Sequence, residues 1–166
     1  DGEKEFKSAV TACNKKLATM RSELGLVKEK YAENANSLTA LQDKHKVLSN
    51  ILNIQKSKQE SVRIGLENAQ KSQQKVAESL GKLKSEYQQA QKSMDKMKAS
   101  CSSTDKEIAE QEKKLKELAQ AIEKGEHNYD SASKRVDSWR TQLNRAQTQV
   151  LKANRAVQQN EKYMHE

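Results

Sequence analysis

The sequence predicts an all-α fold, an elongated antiparallel three-helix bundle packed through coiled-coil heptads. Three observations predict it. The 166 residues include no proline and only five glycines, and Lys, Glu, Gln, Ala and Leu dominate, so helix is the favoured local state. Apolar residues recur at alternating steps of three and four from Phe6 to Met164. With a at Val10 and d at Phe6, 37 of the 46 a/d positions are apolar, a 3.5-residue repeat that requires helix pairing and argues against disorder. Third, the seam turns polar at two places, and each carries a helix-start signature. Apolar content of 34% against 33% charged fills a narrow seam but not a thick globular core.

The first predicted helix spans 3–54. Its seam visits Phe6, Val10, Cys13, Leu17, Met20, Leu24, Val27 and Tyr31, then Leu38, Leu41, Leu48 and Leu52. Asn34 and His45 interrupt it, as polar seam residues do when they fix register. A bend is expected at residue 57, where Gln55 and Gln59 flank the capping-box pattern Ser57–Glu60. The second helix, 58–101, runs from Val62 through Leu80, Leu83, Tyr87 and Met94 to Cys101. A second box, Thr104–Glu107, starts the third helix, 105–164, with a break expected near 125–131 because Gly125 can serve as a helix C′ residue. All 166 residues form one domain on this reading. The alternative is one continuous helix of roughly 250 Å, dimerised as a parallel coiled coil.

A bend at 57 pairs positions equidistant from it: Phe6 with Ile108, Met20 with Met94, Leu48 with Leu66, and Cys13 with Cys101. The cysteine match predicts a disulfide and hence an oxidising compartment; the competing reading is two buried seam thiols. Four apolar residues leave the seam around the same bend, Val47, Ile51, Ile54 and Ile64, and a third helix returns Leu151 to that end. They either close the bundle tip or form an apolar patch, the candidate binding tip.

Catalytic chemistry finds no support. Neither cysteine has a neighbouring histidine or a CxxC partner, and His45, His127 and His165 are isolated. "GEHNYD" reads as loop charge, Trp139 at d reads as core, and no phosphate loop or nucleophile elbow occurs. The chain is read as a non-enzyme without cofactors. Net charge is +8, with the excess concentrated in residues 55–101 as a solvated basic face. Aromatics at 4% sit on or beside the seam, so nucleic acid is not expected as a partner. No apolar run spans a membrane, so contact with one requires an anchor outside these residues. No asparagine lies in an N-x-Ser/Thr acceptor.

Three helical stretches, Phe6–Leu52, Val62–Cys101 and Ile108–Met164, with one cysteine pair, resemble the elongated three-helix-bundle surface glycoproteins of trypanosomes. The resemblance is architectural and covers the whole chain. It implies a membrane-anchored rod at the cell surface, a surface antigen or a receptor for a protein or host-factor ligand. The expected function is therefore a non-enzymatic extracellular or cell-surface helical bundle, monomeric, acting as a coat or ligand-binding module. The alternative is a cytoplasmic coiled-coil scaffold or tether that dimerises through the same seam.

Overall fold

Helix formers uninterrupted by proline produce three long helices: α1 (Gly2–Lys30, 29 residues), α2 (Leu38–Ser100, 63 residues) and α3 (Asp105–Met164, 60 residues). The computed structural model describes residues 2–101 and 103–166, and no strand occurs among them. Glu3 and Glu5 in the first turn of α1, and Lys28 and Lys30 in its last, complement the helix dipole.

The chain reverses at residues 31–37, not at 57. Short i→i+3 bonds carry it around: Asn34 N donates to Tyr31 O at 3.1 Å, and Ser37 N to Asn34 O at 3.1 Å. Tyr31 Oη donates to Asp43 Oδ2 at 2.7 Å across the turn. Ser37 Oγ accepts the Ala40 N–H at 3.2 Å and so caps the start of α2. Between α2 and α3, Cys101 takes the left-handed conformation of a C′ residue (φ 55°). Thr104 Oγ1 then accepts the Glu107 N–H at 3.2 Å to open α3.

Several expectations are corrected here. Ser57 lies inside α2, so helices 3–54 and 58–101 are replaced by Gly2–Lys30 and Leu38–Ser100. The supposed box fails because Arg63 engages Glu60 at 2.7 Å, an i,i+3 pair that supports continuous helix. The break near 125–131 is absent: α3 runs through Gly125, which serves close packing, since a Cβ there would lie 3.0 Å from Leu80 Cδ1. Interruptions at 31–37 and after Ser100 also remove the single continuous helix.

Two compact units make up the structure, residues 1–68 with 137–166, and residues 69–136. In the first, all three helices contribute to the core. Leu48, Leu52, Ala153 and Val157 form a buried cluster, with Leu24, Ile51, Val150 and Ala156 packed against it. Leu17, Val62 and Trp139 are almost fully buried, each worth about 1.5–3 kcal/mol of transfer free energy. Cross-helix contacts join Leu41 to Asn160, Lys58 to Gln149 and Gly65 to Trp139, numbers falling on α3 as they rise on α2. The second unit consists of α2 from 69 and α3 up to 136. Gln73–Ser133, Leu80–Gly125, Lys84–Glu126 and Ala90–Gln111 contacts hold it, with Ala90 and Met94 buried.

Candidate interaction surface

Apolar seams bring helices together, and the polar groups left within and beside them determine what else the surface can do. In the first unit, Asn160 is buried on α3, and its Nδ2 donates to Leu41 O at 2.9 Å. This contact makes one polar layer, and His45 lies one turn further along α2. His45 Nε2 lies 3.4 Å from Ser49 Oγ, while His45 Nδ1 and Asn160 Oδ1 are buried and make no hydrogen bond. A second layer surrounds Lys58, which donates to Gln149 Oε1 at 3.4 Å. Burial first, and the charge of Arg21 on α1 second, push the Lys58 ammonium below its ordinary pKa, against a smaller opposite pull from Cys13. Gln55, one turn earlier, is buried with Oε1 unpaired. Such layers weaken a core and fix its register.

The cysteines are not bonded to each other. Cys13 is half-buried on α1 and Cys101 is exposed at the end of α2, so the expected disulfide is corrected to two free thiols. The pairing arithmetic required a bend at 57; with the reversal at 31–37 it no longer applies.

The five candidate tip residues all fall in the first unit, but no tip exists at residue 57, since α2 is continuous there. Val47 is buried at 7% exposure, and Ile51 packs on the Leu48–Val157 cluster. Ile54 and Ile64 are half-buried, and only Leu151 is strongly exposed. They do not form one exposed patch: Val47 and Ile51 belong to the core, and Ile54 and Ile64 are half-buried. Trp139 is buried at 2% exposure against Gly65.

Sequence reasoning missed the grooves of the second unit. With only α2 and α3 present, the seam is open on both sides around the Leu80–Gly125 contact. One groove, ≈ 320 Å³, is floored by Val76, Leu80 and Leu83 and rimmed by Lys75 and Lys124. Across the helix pair a second groove contains Ala77, Gly81 and Tyr129 and is spanned by the Lys84–Glu126 ion pair at 3.6 Å. The retrievable signal was small residues at g, namely Ser72, Ser79 and Ala121, beside the basic c positions Lys75 and Lys82.

Among the described residues no group of three or more His, Cys, Asp or Glu could hold a metal ion. No described helix is long and apolar enough to cross a membrane. No known protein family, curated protein or solved structure matches the chain.

Proposed function

We propose that the chain is a non-enzymatic helical scaffold, an antiparallel coiled-coil bundle whose work is to hold protein partners along its helix faces. The observation that carries this is the distribution of polar layers: Asn160 on the Leu41 carbonyl and Gln111 on the Ala90 carbonyl, at 2.9 Å each. Side chains aimed from the seam at the backbone of a neighbouring helix, Asn160 buried and Gln111 half-buried, raise the cost of register slips without providing a reactive centre. Such a design specifies one alignment of long helices, which a scaffold needs in order to present distant surface positions in fixed order.

The resemblance to trypanosome surface glycoproteins keeps a cell-surface coat or receptor as the second reading. The free thiols withdraw the disulfide that favoured an oxidising compartment, and the three-helix first unit favours retaining the bundle part of that resemblance. Lysine cross-linking in the native host, followed by mass mapping, tests the scaffold. Reproducible intermolecular links from exposed lysines to a small set of proteins are expected. A chain showing intramolecular links alone would refute partner holding, and links confined to surface-exposed host factors would move the reading to the receptor.

A further inference from the structure

The open groove beside Val76 and Leu80 has a counterpart that is filled. In the first unit, g positions of α2 face α1: Ile51 packs in the cluster that includes Leu24, and Lys58 feels Arg21 and Cys13. In the second unit, the g-side groove of the same helix pair has no third helix. Its g positions are small (Ser79 and Ala121), so a helix can approach closely. Its apolar floor continues the seam, so an occupant presenting apolar residues at helical spacing gains burial along its length.

Charge selects among such helices. Lys75 and Lys124 stand on the rim, and among the described residues neither has an ion-pair partner. On the opposite side of the pair, Lys84 is already neutralised by Glu126. The chain's own α1 would be a poor occupant, since its e and g flanks carry Lys7, Lys16, Arg21, Lys28 and Lys30 against Glu23 alone. We infer that the groove between Val76 and Leu83 of α2 and Ala121 and Asn128 of α3 is a docking site for an amphipathic helix of a partner protein with acidic residues flanking its apolar stripe. This rests on the scaffold reading and names the partner class and the face.

The test uses the full chain and two fluorescent 21-residue helical peptides, identical at their Leu a/d positions and bearing either Glu or Lys at e and g. Fluorescence anisotropy should show the Glu peptide binding at least about tenfold more tightly than the Lys peptide, and losing affinity as salt rises. Lys75→Glu with Lys124→Glu should invert that preference, while Ser79→Trp, which fills the groove from an exposed position, should abolish binding of both. Circular dichroism on each variant verifies that the helices persist; a variant that unfolds is replaced by Lys75→Gln with Lys124→Gln, expected to erase the preference. Equal binding of the two peptides, or a preference that charge reversal does not move, overturns the site. A dimer in sedimentation equilibrium that Ser79→Trp dissociates also overturns it, making a second copy the occupant. Host cross-links that arise only from lysines of the first unit would remove the groove while leaving the scaffold intact.

Discussion

Replacing Gly65 with alanine tests the packing of the first unit most directly. Gly65 lies inside α2 with ordinary helical φ, so backbone freedom gives no reason for a glycine there. On propensity alone, alanine should stabilise the helix by about 1 kcal/mol. The reason for glycine is Trp139: a Cβ would lie 2.7 Å from its Cζ3 and 2.8 Å from Cε3 and Cη2. Those atoms form the rigid edge of a ring only 2% exposed, so the ring must shift against packed neighbours. Overpacking of this kind typically costs about 1–3 kcal/mol, which cancels or outweighs the propensity gain. At Gly25 the same Cβ meets nothing within 4 Å. Gly25→Ala should therefore stabilise by about 0.5–1 kcal/mol, and Gly65→Ala should fall about 1–3 kcal/mol below it. Urea unfolding followed by far-ultraviolet dichroism measures the difference, and Trp139 fluorescence reports the shift of the ring. Introducing Trp139→Phe should return most of the propensity gain to Gly65→Ala in a double-mutant cycle. A Gly65→Ala variant as stable as Gly25→Ala would refute the packing of Gly65 on Trp139.

Helix starts give a second prediction: Thr104→Ala and Ser37→Ala should each cost about 0.5–2 kcal/mol in urea unfolding. Ser57→Ala, in mid-helix, should be close to neutral. A large Ser57 effect would restore the bend there. At the end of α2, Cys101→Gly should stabilise because φ is 55° at that residue, by about 1 kcal/mol, seen as a rise in unfolding midpoint. Thiol titration of the unreduced protein should find both cysteines, with exposed Cys101 reacting faster than Cys13. Lys58 gives a pH signature. Its folded pKa is depressed by burial, so the unfolded chain binds the proton more tightly, and stability falls as pH drops from the ordinary lysine value of 10.5 through the folded value. Lys58→Met should raise the unfolding midpoint at neutral pH and flatten its dependence on pH below the ordinary lysine value of 10.5. An unchanged slope would place Lys58 in solvent.

The helical class and the seam were legible because heptad periodicity is a local property that each turn of helix repeats. Trp139 and Leu17 sit at seam positions and are buried; so do Asn160 and Gln55, although the polar seam at Gln55 predicted a bend and not a buried layer. The reversal was not legible, for a reason specific to its length. Residues 31–37 number seven, one heptad, so the seam enters the turn at Tyr31 and leaves it at Leu38 in unbroken register. A seven-residue repeat cannot register a turn of its own period. The capping pattern failed in the complementary way. Ser37 caps α2 through the backbone N–H of Ala40, without the glutamate that the pattern requires, whereas Ser57 has its glutamate but loses it to Arg63.

From that one displaced turn the other misplacements follow. Moving the reversal from 57 to 31–37 shortens α1 to 29 residues, all of them in the first unit, and the helices of the second unit are segments of α2 and α3. Cys13 then faces the Lys58 layer and no longer Cys101, and of the apolar residues 47, 51 and 54, Val47 is buried and Ile51 packs in the cluster that Leu24 of α1 joins. The search for a binding surface moves accordingly. An apolar excess at a bend would have been a tip, whereas the same excess beneath α1 is core. The surface left unpartnered lies where the third helix is missing, beside Leu80 and Gly125, and its lysines, not its apolar residues, decide which partner it selects.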